Sequence, residues 1–92
     1  MTHSEFEAEA LANGYATPVE VSKAAGYQMG NHDHPFDAFA LITAGQIDIG
    51  VAGVVSSYGV GEVFRLPRQT VHTEAAMAHG VTYLAARRLA TA

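Results

Sequence analysis

Along this chain the spacing of hydrophobic and polar positions changes character once, near Pro18. Before it, Phe6, Ala10 and Leu11 recur at helical spacing, Ser4 with Glu7 fits a capping box, and Asn13-Gly14 supplies a stop. A short N-terminal helix of about two to three turns is predicted. It serves either as a cover over one end or face of the remainder or as a dimerisation arm. After Pro18, Val19-Glu20-Val21-Ser22-Lys23 alternates as a half-buried strand does. A second strand is predicted from Tyr27 through His32 and His34, and the apolar run Phe36 to Thr43 reads as a strand buried on both sides. Ala44-Gly45 reads as a turn, Gln46 to Val51 alternates, and Ala52-Gly53 reads as the loop of a hairpin whose second strand is Val54 to Tyr58. Beyond the turn Gly59-Val60-Gly61, strands are expected at Val63 to Leu66, Val71 to Glu74 and Val81 to Arg88, with a loop at Met77-Ala78-His79-Gly80. Short strands punctuated by glycine, with one helix, predict an all-β barrel or sandwich.

The 92 residues predict one domain, 1–92, and 49% apolar against 15% charged residues supply a packed core. Five basic residues against nine acidic ones give a formal charge of −4, which repels nucleic acid and anionic lipid. No stretch approaches the roughly 20 apolar residues that span a bilayer. Ser4-Glu5-Phe6-Glu7 also lacks the basic-then-apolar plan of a signal peptide, so a cytoplasmic location without membrane association is expected. There is no cysteine, so any metal must be held by histidine and carboxylate. Exposed strand edges in so short and apolar a chain favour a homodimer.

The chemistry concentrates in two places. His32 and His34 lie two apart, and side chains two apart on a strand share a face about 7 Å from each other, so both rings can converge on one ion. His72, following the Pro67 corner, is the candidate third ring. His79, between Ala78 and Gly80, is expected to face solvent, and His3 has no role. If the strand through the histidines runs on regularly, its inward face is His32, His34, Phe36, Ala38, Ala40 and Ile42.

These residues resemble the cupins. Gly26, His32, His34 and Gly45 fall at the spacings of the first cupin motif, and Gly61, Pro67 and His72 at those of the second. The resemblance implies a cupin-like β-barrel, a double-stranded β-helix or jelly roll, with its motif-bearing core over about residues 26–88. It also implies a divalent metal ion, iron, manganese, nickel or zinc, bound by His32, His34 and His72. Three positions depart: Ala38 stands at the glutamate ligand, Gln69 at a glycine and Ala76 at an asparagine. The resulting three-histidine site is similar to those of some cupin dioxygenases, where neutral ligands favour an anionic small-molecule ligand. Two acids are candidates for a fourth ligand: Glu74, on the same strand face as His72, and Asp37, one residue out of phase unless Pro35 introduces a bulge. Gln69 at a corner requiring positive φ would be costly, which predicts a loop of altered shape there.

Phe36, Ala38, Tyr83 and Arg87 are the candidate ligand-binding residues, with Arg87 or Arg88 as a clamp for a carboxylate. Phe39, Phe64 and Tyr58 line the pocket or fill the core, and Met29 borders the site next to the histidine strand or packs in the core. Three functions stay open: a metal-dependent enzyme such as a dioxygenase or isomerase, a module that binds or senses a small molecule without turnover, and a metal-free structural dimer.

Overall fold

The computed structural model describes residues 1–89; residues 90–92 of the expected 1–92 domain lie outside the described residues. The helix α1 spans His3–Ala12 and is followed by β1 (Val19–Lys23), β2 (Gln28–His32), β3 (Phe36–Val51), β4 (Val54–Gly59), β5 (Val63–Leu66) and β6 (His72–Leu89). All pairings are antiparallel, in one sheet of order β1-β6-β3-β4, with β2 added to β6 and β5 to β3. The sheet forms a barrel that is not closed. None of the described helices is long and apolar enough to cross a membrane.

The helix begins two residues earlier than expected. Thr2 is the N-cap: the Glu5 amide donates to Thr2 Oγ1 at 3.1 Å and the Thr2 amide donates to Glu5 Oε1 at 2.9 Å. Thr2-x-x-Glu5 and Ser4-x-x-Glu7 share one spacing, and the upstream pair closes the box. At the other end Gly14, at φ 77°, donates its amide to Leu11 O, and Tyr15 donates to Ala10 O at 2.9 Å. Those two bonds make a Schellman motif, which only a residue tolerant of positive φ closes cheaply.

Phe6 and Ala10 bury against Phe39, Leu41 and Ala86, so α1 covers the outer face of β3 and β6. Phe6 and Phe39 lie 4.6 Å apart between ring centroids and neither is exposed to solvent. Replacing either by alanine would cost about 3–5 kcal/mol. The other face of β3 carries Ala40, Ile42, Ile47 and Ile49 into the barrel interior with Phe64, Leu66, Val81 and Tyr83. Phe36 to Ile42 is thus covered on both faces, as the apolar run implied, while Thr43 at its end is exposed.

Two expected strand breaks are bends in long strands. β3 runs through Gly45, and β6 runs through Gly80. Between the pairs Gly45↔Val81 and Ile47↔Ala76, β6 carries residues 77–80 against Gln46 alone, a bulge in place of the predicted loop. Both glycines have positive φ, 72° and 71°, and a Cβ on Gly45 would collide with the Gly80 carbonyl oxygen. The two strands bend together where neither can carry a side chain. The Ala52-Gly53 hairpin forms as predicted, with φ of 52° and 79°.

The turn after β5 keeps the positive φ that its glutamine argued against. Gln69 sits at φ 59°, and Thr70 donates its amide to Pro67 O at 3.2 Å. A left-handed conformation costs a non-glycine residue roughly 1–2 kcal/mol. Gln69 donates its amide to His34 O at 2.7 Å, which favours that conformation.

Candidate metal centre

His32 ends β2 and pairs directly with His72, the first residue of β6. Glu74 follows two residues later and projects from the same strand face. His34 does not continue the strand of His32: residues 33–35, including Pro35, separate β2 from β3. The even-numbered parity nevertheless survives the break, since His32, His34, Phe36, Ala38 and Ala40 all line one cavity.

His32, His34, His72 and Glu74 each bring one donor atom within 4.8 Å of all the others. The rings are 4.2 Å apart for His32 and His72, 5.0 Å for His32 and His34, and 5.3 Å for His34 and His72. Asp37 is not part of this cluster. It lies out of phase, as its parity required, and is gripped on the far side of β3. Its carboxylate accepts from the Arg68 amide at 2.8 Å, from the Arg68 guanidinium at 3.1 Å and from Arg88 at 2.9 Å. These bonds, those of Arg68 first, hold the Asp37 carboxyl well below the usual carboxylate range.

The ring nitrogens of His32 and His72 are oriented from behind. His32 Nδ1 lies 2.8 Å from Gly30 O, and His72 Nδ1 lies 2.8 Å from Thr70 O. A carbonyl only accepts, so both Nδ1 atoms carry hydrogen and, in the neutral rings, both Nε2 atoms present lone pairs. Each Nε2 is 3.0 Å from the same Glu74 oxygen, itself an acceptor when ionised. Three acceptors converge with no donor among them, an arrangement that calls for a cation. The donor set fits a divalent metal: nitrogen and oxygen atoms, rings fixed by second hydrogen bonds, and His72 only 1% exposed.

His34 is held differently, stacked on Phe36 at 4.8 Å with 14° between the rings. Burial, then the nearby His32 and His72, push its pKa below the ordinary value. The surrounding cavity has a volume of about 230 Å³. Its walls are apolar toward Val21, Ala40, Phe64 and Leu66, and its rim carries Lys23, Tyr27, Met29 and Arg87. Burial, then the Glu74 charge, pushes the Tyr83 hydroxyl up to about 12 and raises that of Tyr27, so both remain hydrogen-bond donors at neutral pH.

All four candidate ligand-binding residues, Phe36, Ala38, Tyr83 and Arg87, line this cavity. Arg88 does not, being tied to Asp37. Met29 is 45% exposed on the rim, not in the core. Phe64 also lines the cavity, Phe39 packs under the helix and Tyr58 packs against the interior core. His79 is exposed, within β6 and not in a loop. Lys23 and Tyr27 escaped the sequence reading, although Lys23 shares strand parity with the inward-facing Val21. The Arg68–Asp37 clamp joins residues 31 apart and left no local signal.

No protein-family profile matches the sequence, and no curated protein matches it. Solved structures do. A cupin superfamily protein of Desulfitobacterium hafniense superposes with a TM-score of 0.69 at 18% identity, covering 77% of this chain and 64% of its own. KdgF from a Halomonas species gives 0.65 at 19%, covering 76% and 66%. The DMSP lyase DddQ of Ruegeria pomeroyi gives 0.69 at 25%, covering 79% of this chain and 39% of its own. The chain thus spans just under two thirds of the first two proteins. An open antiparallel barrel with these counterparts has one reading: the fold of this chain is that of the cupin superfamily.

Proposed function

We propose that His32, His34, His72 and Glu74 hold one divalent metal ion and that the adjoining cavity binds a small molecule beside it. The observation that carries this reading is the convergence of two Nε2 atoms on one Glu74 oxygen at 3.0 Å each, with both Nδ1 hydrogens already committed to carbonyls. Glu74, and not Asp37, is the fourth ligand, and it restores the carboxylate that Ala38 lacks. Donors of nitrogen and oxygen without sulfur suit iron, manganese, nickel or zinc. When bound, such an ion supplies a Lewis-acidic centre with positions open to a ligand.

The chain's own residues do the rest. Gly30 O and Thr70 O fix two rings in the metal-binding tautomer, and the apolar wall formed by Val21, Ala40 and Phe64 excludes water. Tyr83 and Tyr27 offer hydroxyl donors. Turnover, as an oxygen-dependent oxidation or an isomerisation, and binding without turnover use the same constellation; oxygen uptake and product analysis on the metal-loaded protein separate them. The structural likeness to a protein named as a lyase supports the catalytic version.

The test is elemental analysis of protein purified without chelators. The parent is expected to carry close to one equivalent of metal, and His72→Ala and His34→Ala to lose most of it while keeping their circular dichroism. Equal metal content in His72→Ala and the parent would overturn the centre.

A further inference from the structure

We propose that the ligand of this cavity is a small organic acid whose carboxylate is held by Arg87, with Lys23 as a second cation on the rim; the inference rests on the cavity being the ligand site proposed above. The argument starts from the five basic side chains of an otherwise acidic chain. Three are neutralised: Arg65 pairs with Glu9 at 3.1 Å, and Arg68 and Arg88 both pair with Asp37, at 3.1 and 2.9 Å. Among the described residues, Arg87 and Lys23 have no carboxylate partner. Both line the metal cavity.

Each of the two is seated on an aromatic ring instead. The Arg87 guanidinium lies 4.6 Å over Phe36, which stacks in turn on His34, and Lys23 Nζ lies 4.8 Å over Tyr27. A ring face accepts no conventional hydrogen bond, so a guanidinium held over it keeps N–H donors for the fork that matches a carboxylate. The seat therefore orients Arg87 without consuming its hydrogen bonds. Unpaired cations cost nothing on a wet surface, but two of two facing one cavity in a chain of net charge −4 mark an anion's place.

The geometry also bounds the ligand. Lys23 pairs with Val81, six positions before Arg87 on β6, so the two backbone positions lie about 20 Å apart along the strand. Phe36 stands next to both groups, 4.6 Å from the Arg87 guanidinium and 4.8 Å from the His34 ring. In this arrangement Arg87 takes the carboxylate, and the ion is left to a second oxygen function of the ligand, several bonds away. A cavity of about 230 Å³ has the volume of about eight water molecules, which suits an acid of roughly four to six carbons.

Calorimetric titration with succinate, glutarate and adipate, and with glutaramide as the uncharged control, tests this on metal-loaded protein. At least one of the acids is expected to bind and glutaramide not to. Arg87→Gln is expected to weaken acid binding by between about tenfold and a hundredfold, and Lys23→Gln by less, with metal content unchanged in both. Equal affinity in Arg87→Gln and the parent, equal binding of glutaramide, or no binding of any of the three acids at millimolar concentration would overturn the proposal. Repeating the titrations on chelator-stripped protein reads the arginine contact without the ion. Loss of the metal reading and loss of the carboxylate reading are thereby told apart.

Discussion

His34 depends on its surroundings in a way its two partners do not. Its ring is fixed by stacking on Phe36, and burial is the largest cause of its lowered pKa, ahead of the repulsion from His32 and His72. An unfolded chain takes up that proton near pH 6.5, before the folded chain does. Stability of the metal-free protein is therefore full above about pH 6.5 and falls as the pH drops through the window down to the lowered folded value. Thermal melts of the chelated protein from pH 8 to pH 5 should show this decline, and His34→Phe, which keeps the stack and removes the proton site, should show a shallower one. Superimposable profiles would contradict the account. Metal binding follows the same direction, since protons compete for the ligands' lone pairs, so occupancy should drop across the same range.

Among the elements, the turn from Pro67 to Thr70 governs the centre most directly. It offers Thr70 O to His72 Nδ1 and the Gln69 amide to His34 O, while Asp37 holds the Arg68 amide from across the sheet. If His34 and His72 are ligands, Asp37 acts on both through one turn, as a positioning residue. Asp37→Asn is expected to keep the fold and lower metal affinity by about tenfold or more, with an altered absorption spectrum of the cobalt-substituted protein. An unchanged spectrum and affinity would show that Asp37 serves stability alone. Nothing in local pattern could reveal this clamp, because Asp37 and Arg68 meet only through the pairing of β3 with β5. Other parts were legible. β1 follows from alternation and β5 from a short apolar run after a glycine turn, and Glu74 was one of the two acids offered, the one sharing a face with His72. The two long strands were not, because Gly45 and Gly80 read equally as turns or as bends, and only their contact with each other decides between them. Gln69 misled for a related reason: a favoured backbone conformation was outweighed by a hydrogen bond to a distant segment.

For the whole molecule, the open barrel leaves β4 paired on one side only, and it displays Val54 and Val55, 67% and 64% exposed, with no charged residue in the strand. Such an edge favours a second copy over solvent. A dimer is expected at micromolar concentration by light scattering, reduced to monomer by Val55→Lys; a monomeric parent would refute it. A different consequence follows from β6, which pairs with β1, β2 and β3 and carries His72 and Glu74 at its start. It is the latest of these strands to be synthesised. Until it emerges from the ribosome, β1 and β2 have no partner at all and His32 and His34 face no third ring. Closure of the sheet and assembly of the His32, His34 and His72 cluster are therefore one event, the arrival of β6, and before it the nascent chain carries open strand edges.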